Sequence, residues 1–222
     1  MKKRPMYKVF RVLSSLFLAS LIGQPGIFAL DRVAAFPGEP LPAASVPAPL
    51  VVDDFEDGDL VSSLGTKWIA YADTTVGGKS SAHVGIIDGG ANGSKKAFEV
   101  SGRVTTDFEH GFAGAAVALN KEGRGQNMTA YIGIRFYVRG DGNSYQIHVL
   151  CSAVKDHNEY GKQFVAPRAW KLITIPFSEL SQSAYWGQQV PWTGKDVRGI
   201  AFQTTTAPLD HFSLVVDGVS FY

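Results

Sequence analysis

The stretch Ala130-Tyr-Ile-Gly-Ile-Arg-Phe-Tyr-Val-Arg139 alternates apolar and polar side chains with a period of two, which is the period of a strand. Ile132, Ile134, Phe136 and Val138 share one face, and Tyr131, Gly133, Arg135, Tyr137 and Arg139 share the other. Arg139-Gly-Asp-Gly-Asn143 then reads as a turn, and Tyr145–Cys151 as a returning strand, so a hairpin is expected here. Further strands are expected at Ala97–Val104, Gly111–Leu119, Trp170–Pro176, Gly199–Thr204, Phe212–Val216 and Gly218–Tyr222. Helical periodicity is nearly absent, with one short turn expected at Phe177–Leu180. Many short strands with turns between them, in a chain carrying 24 glycines, define an all-β antiparallel sandwich or barrel.

The chain divides into three parts. Residues 1–29 carry Lys2, Lys3, Arg4, Lys8 and Arg11 with no acid before Asp31, then the apolar run Val12–Ile22, then the breakers Gln24, Pro25 and Gly26. That is the build of a secretory signal peptide, too short in its apolar part for an ordinary membrane span. Export is therefore expected, with an organellar transit peptide as the alternative and no membrane span in the mature form. Residues 30–49 form a Pro/Ala-rich linker, and 50–222 form one folded domain, expected to be a monomer. A net charge of +1, with no basic stripe after the first residues, argues against a nucleic-acid partner. The single cysteine, Cys151, excludes an internal disulfide and any multi-cysteine metal site, and it reads as a small buried hydrophobe.

Several motifs invite a chemical reading. Asp53-Asp-Phe-Glu-Asp-Gly-Asp59 packs five acids into seven residues, a density that favours either a bound cation or a solvated loop. It is not an EF-hand, because Gly65 stands where the bidentate Glu is needed. Gly77-Gly-Lys-Ser-Ser81 and Gly89-Gly-Ala-Asn-Gly-Ser-Lys-Lys96 lack phosphate-loop spacing, and the second reads as a hairpin turn. Tyr131, Arg135, Tyr137 and Arg139, with Gln146 and His148 on the next strand, combine aromatic faces and hydrogen-bonding groups, as a sugar-binding surface requires. The same pattern also describes an ordinary solvated sheet face with cross-strand tyrosine pairs. Tyr185, Trp186 and Trp192 are expected either as loop-borne platforms or as packing over an end of the sandwich, and Trp68 and Trp170 as core. The five histidines show no HExxH spacing, no GxSxG elbow exists, and no carboxylate pair of the glycosidase kind stands out. Catalytic residues are accordingly expected to be none. Asn92-Gly-Ser94 and Asn127-Met-Thr129 are glycosylation sequons, relevant only in a eukaryotic secretory pathway.

The order of these pieces carries a resemblance. Val52-Asp-Asp-Phe-Glu-Asp-Gly-Asp59, Leu64-Gly-Thr-Lys-Trp68, Asp73, Gly77-Gly-Lys-Ser80, Gly111-Phe-Ala-Gly114, Arg139-Gly-Asp-Gly-Asn-Ser-Tyr145, Ile175-Pro-Phe177 and Phe212–Asp217 together resemble two related groups. These are carbohydrate-binding module family 11 and the complex I intermediate-associated protein 30 family. The resemblance spans about 50–222 and implies a galactose-binding-like jelly roll. It implies a non-catalytic module for a polysaccharide of β-glucan type, on a concave Tyr/Arg/Asp face, with a structural calcium ion. The sister group implies a protein partner and an assembly role instead. Carried over residue by residue, Arg139 and Asp141 become polar cleft residues, Tyr131, Tyr137 and Tyr145 stacking residues, and Glu56, Asp73 and Asp217 calcium ligands. The expected ligand set is thus Tyr131, Arg135, Tyr137, Arg139, Asp141 and His148.

Overall fold

The structure, a computed structural model, describes residues 47–222, so the expected signal peptide and most of the linker lie outside the described residues. Eleven strands follow in order: β1 (Leu50–Asp53), β2 (Ile69–Ala72), β3 (Ser81–Asp88), β4 (Lys96–Val104), β5 (Ala113–Ala118), β6 (Gly133–Gly140), β7 (Ser144–Cys151), β8 (Tyr160–Val165), β9 (Lys171–Pro176), β10 (Val197–Thr204) and β11 (Leu209–Phe221). Phe177–Glu179 forms the short helical turn that the sequence suggests. A six-stranded sheet runs β3-β4-β11-β6-β9 with β1 added to β11, and a five-stranded sheet runs β2-β5-β10-β7-β8. All pairings are antiparallel. The expected all-β sandwich is the fold observed.

The core lies between the sheets and is aromatic along its centre. Trp68 packs on Phe98 with ring centroids 4.7 Å apart and on Phe202 at 6.1 Å, and Phe136 meets Phe202 edge-on at 5.0 Å. Rings of this size bury the most apolar area per residue, which suits a sandwich whose layers stand about 10 Å apart. The acidic run sends one carboxylate into this core, while Asp54, Glu56, Asp57 and Asp59 are exposed. Asp53 is buried, its Oδ2 accepts from Trp68 Nε1 at 2.9 Å, and its Oδ1 accepts from the Phe55 amide at 2.9 Å. Burial pushes its carboxyl up to about 6, and hydrogen bonds from Phe55 and Trp68 act against that rise.

Three local expectations are corrected. β6 and β7 do not form a hairpin: β6 pairs with β11 and β9, whereas β7 pairs with β10 and β8. Gly140–Asn143 is an arch from one sheet to the other, held by Gly140 N–H to Pro167 O and Gly142 N–H to Ala166 O. Ile132 is 69% exposed, because β6 begins only at Gly133, and Ile132 and Gly133 both donate to Tyr222 O, which breaks the alternation. Phe212–Val216 and Gly218–Tyr222 fuse into β11, with a register shift between Asp217 and Ser220 at Gly218, whose φ is +57°.

Candidate binding face

The arch between β6 and β7 decides where each expected ligand residue falls. Arg135, Tyr137 and Arg139 point outward from the six-stranded sheet, since Ile134, Phe136 and Val138 fill the core side. His148 points outward from the five-stranded sheet, on the opposite side of the sandwich, because Ile147 and Val149 are its core-facing neighbours. The expected ligand set is therefore divided, with His148 on the opposite side of the sandwich from Arg135, Tyr137 and Arg139. Tyr131 lies before β6 and packs against Phe221, with centroids 6.2 Å apart. Tyr137 accepts a hydrogen bond from Asn92 Nδ2 at 2.6 Å. The Arg139 guanidinium sits 5.2 Å from the ring centre of Trp170, which is half-buried on that outer face and not in the core. Trp68, the other tryptophan expected inside, is buried.

Asp141 serves the arch. Its Oδ1 accepts from the Asn143 amide at 2.9 Å, and its Oδ2 accepts from Tyr145 Oη at 2.8 Å and the Ser213 amide at 3.0 Å. Partial burial opposes ionisation, but these donors outweigh it and hold the carboxyl below the ordinary range. Tyr145 is buried in the core, so the register did not reset at the turn to turn it outward.

The structure assembles a different surface on the outer face of the five-stranded sheet. Ladder register places Tyr71, Gly114, Gln203, Gln146 and Gln163 in one row across all five strands. The next row is Ile69, Ala116, Ala201, His148 and Gly161, continued by a bridge from Gly161 to Ser181. A third row holds Ala118, Gly199 and Leu150. None of these positions is Asp, Glu, Lys or Arg. A solvated sheet face ordinarily carries charges, so a floor of small residues crossed by three carboxamides is unusual. The sequence signal was the outward parity of Gly114, Ala116 and Ala118 and of Gly199, Ala201 and Gln203, which places small uncharged residues where charges normally stand.

Local contacts hold this surface. Tyr71 Oη donates to Gln203 Oε1 at 3.0 Å, and burial raises the Tyr71 hydroxyl well above the ordinary phenol range. Gly114 lies between the two, and a side chain there would meet both Tyr71 Oη and Phe202 O. Phe112 extends the aromatic end, 6.1 Å from Tyr71, with Phe108 beyond it at 6.4 Å from Phe112. Both ring nitrogens of His148 are buried without a hydrogen-bond partner, and desolvation lowers its pKa to about 4. Starting at Tyr71, a groove of about 660 Å³ is floored by Ile69, Tyr71, Ala116, Ala118, Leu150 and Gly199.

A loop borders this sheet beyond β8. Asn158, buried, donates from Nδ2 to Ser183 O at 3.1 Å and Trp186 O at 2.9 Å, and accepts from the Ser183 amide at Oδ1. The loop thereby presents Tyr185, 98% exposed, and Trp186, 52% exposed. Trp192 instead packs between Tyr160 and Phe177, at 5.1 and 5.0 Å.

The expected metal ligands separate. Asp73 is fully buried and accepts from the Ser80 amide and hydroxyl at 2.9 and 2.6 Å, and from the Phe112 amide at 3.3 Å. It is thus a loop staple. Glu56 and Asp217 do approach one region, the Gly90–Lys96 turn. Glu56 Oε1 accepts from Ser94 Oγ and the amides of Lys95 and Lys96, and Asp217 Oδ2 accepts from the Ala91 amide. Burial, with a smaller contribution from the Glu56 charge, raises the Asp217 carboxyl. Among the described residues no three His, Cys, Asp or Glu side chains converge. Cys151 is buried and inert, its thiol pushed up to about 12 by burial and the neighbouring acids.

Comparison with known proteins places this fold. Residues 54–216 match the family described as complex I intermediate-associated protein 30 (CIA30), and the chain belongs to that family. Over 180 residues the chain is 29% identical to Endoglucanase 3 of Fibrobacter succinogenes (strain ATCC 19169 / S85), covering 76% of this chain. It spans only 26% of that relative's length. A family 11 carbohydrate-binding module from Clostridium thermocellum, solved with a β-1,3-1,4-mixed-linked tetrasaccharide, superposes with a TM-score of 0.59 at 21% identity, covering 78% of this chain and 94% of the module. A family 30 carbohydrate-binding module superposes with a TM-score of 0.52 at 10% identity, covering 79% and 94%. These structures share the jelly-roll fold with this chain.

Proposed function

We propose that the outer face of the five-stranded sheet binds a polysaccharide chain and performs no reaction on it. The observation that carries this reading is the uncharged row Tyr71–Gly114–Gln203–Gln146–Gln163, running from an aromatic end across the sheet. Pyranose rings present apolar faces and neutral hydroxyls, so they match an aromatic surface bordered by carboxamides, each of which offers both donors and acceptors. The two glycan-binding modules that share the fold support the reading, and the module solved with a mixed-linked tetrasaccharide makes a β-glucan the first ligand to try. Glycoside hydrolysis needs two carboxylates flanking the scissile bond, about 5–9.5 Å apart. The groove lining contains no Asp or Glu, which favours binding over cleavage. The test is calorimetry against β-glucans, xylans and galactans, in which the reading requires saturable heat with at least one of them.

Calcium belongs to the same reading as a structural ion. Glu56 and Asp217 supply carboxylates, and Ser94 Oγ and Lys96 O crowd Gly90 together with Asp217 Oδ2. An oxygen-only set of this kind fits a hard cation taking six to eight oxygens. Asp73 lies apart from it, bonded to Ser80 just before β3 begins, whereas the Gly90–Lys96 turn follows the end of β3. The basic, apolar first residues support export, which fractionation of the expressing cell would check. Among the described residues no helix is long and apolar enough to cross a membrane.

One observation favours a second reading, a protein-binding role of the kind the family's name describes. Tyr185 and Trp186 stand exposed on a loop that Asn158 fixes, and exposed aromatics on rigid supports are typical anchors of protein interfaces. Recovery of a defined protein partner, lost in Tyr185→Ala/Trp186→Ala, together with no glycan affinity, would favour it.

A further inference from the structure

We infer that the end of the groove opposite the aromatic cluster is a subsite for an acidic sugar residue, one carrying a carboxylate such as a hexuronate. The inference rests on the glycan reading of this face and names the ligand class that its far end selects.

The groove is lined by Lys67, Lys121 and Arg198, and by no Asp or Glu. Lys67 continues the outward parity of β2, two residues before Ile69 and four before Tyr71. At about 3.3 Å per residue it stands roughly 13 Å along the face from the tyrosine. Lys121 lies over Gly65: a Cβ built there would come within 2.9 Å of Lys121 Cε and 3.3 Å of Nζ. Gly65 has a φ of +75°, so the tight turn at Ser62–Thr66 both requires glycine and leaves room for the lysine. Both lysines thereby line one cavity.

Arg198 is held differently. Its Nη2 donates to Glu159 Oε1 at 2.8 Å, and Glu159 Oε2 accepts from the Cys151 amide at 3.1 Å. Glu159 is buried, while the Arg198 side chain is 38% exposed. The carboxylate therefore anchors one corner of a planar guanidinium that has five N–H donors. The remaining donors stay available to a planar carboxylate.

Lys67 and Lys121 make no ion pair among the described residues. The ion pairs among the described residues involve Lys79, Lys96, Lys162 and Arg198, so neither groove lysine has a carboxylate partner. Glu122 neighbours Lys121 in the Asn120–Arg124 turn but is exposed and does not line the groove. Asp196 does not line the groove either, and accepts from the Ala153 amide at 2.8 Å and from Thr193 Oγ1 at 3.4 Å. Same-sign charges at the mouth of a cavity with an apolar floor focus the field onto whatever enters. A wholly neutral glycan would leave this field unused. A chain with a hexuronate at this end and neutral rings over Tyr71 and the glutamine row uses both halves.

The test uses the full chain and matched polymers: polygalacturonate, alginate and glucuronoxylan, each beside its carboxyl-reduced form. At low salt at least one acidic polymer is expected to bind about tenfold more tightly than its reduced counterpart, the worth of one charge-assisted hydrogen bond. The advantage is expected to shrink as salt is raised. Lys67→Gln/Lys121→Gln is expected to bring the acidic polymer down to the affinity of its reduced form, whereas Lys171→Gln on the other sheet leaves the preference intact. Equal affinity for each pair, or a preference that survives the double substitution in a variant with unchanged melting temperature, overturns the inference. Binding of neutral glucans without an acid preference removes this inference alone. Absence of binding to every acidic and neutral polymer removes it together with the glycan reading beneath it.

Discussion

Tyr71 Oη donates to Gln203 Oε1 at 3.0 Å across Gly114, joining β2 to β10, two strands that pair with β5 but not with each other. The bond fixes the tyrosine ring at the end of the row and commits the Gln203 carbonyl to it. The Gln203 amide nitrogen is thereby left as the group that can donate to a ligand.

Tyr71→Ala is expected to weaken glycan binding tenfold or more, since it removes both the ring and the anchor of Gln203. Tyr71→Phe keeps the ring and is expected to cost threefold or less. Tyr137→Ala and Arg135→Ala, on the other sheet, are expected to leave affinity unchanged. Calorimetry on the four variants, with melting temperatures as a folding control, checks the set.

Asp53→Ala is expected to destabilise the domain by about 2–4 kcal/mol, because the buried Trp68 Nε1 and Phe55 amide both lose their acceptor. Denaturant unfolding measures this, and a loss below about 1 kcal/mol would mean water replaces the carboxylate.

His148 makes stability depend on pH. Its pKa is lowered from 6.5 to about 4 by burial, so between those values the unfolded chain takes a proton that the folded chain refuses. Its contribution is complete above about pH 6.5 and is lost as the pH falls toward about 4. Asp53 acts in the opposite sense, its pKa being raised from 3.8 to about 6, so its contribution fades as the pH rises through about 6. The two windows overlap, which makes the variant difference the useful quantity. His148→Gln is expected to lose less stability than the parent between pH 6.5 and 4.5 in parallel thermal melts.

Calcium is expected to raise the melting temperature and a chelator to lower it, with Asp217→Asn abolishing the response and Asp73→Asn retaining it. A melting temperature indifferent to chelator in the parent would remove the ion from the account.

The sandwich was legible because alternation marks strands wherever one face is buried: Ser144–Cys151 is half-buried and buried in strict turn. The edges were less legible. β8 reads Tyr-Gly-Lys-Gln-Phe-Val, and its Lys162 occupies a core-parity position yet reaches out to Glu179 at 3.2 Å. Such a strand has lost the alternation that would announce it. The expected ligand residues were divided for a topological reason. Gly140–Asn143 has the composition of a hairpin turn, and local chemistry does not distinguish a hairpin from an arch between sheets. That distinction sent Tyr137 and His148 to opposite sides. The uncharged sheet face gave little signal because it is made largely of residues too small and neutral to suggest chemistry, Gly114, Ala116, Gly199 and Ala201 among them.

The central claim, that ligands bind on the five-stranded sheet, is tested most directly by amide chemical-shift mapping during titration with a bound oligosaccharide. The account predicts perturbations at Tyr71, Gly114, Gln146, His148, Gln163 and Gln203, with Arg135, Tyr137 and Arg139 unmoved. Perturbations centred on Arg135, Tyr137 and Arg139, with the glutamine row silent, would contradict it.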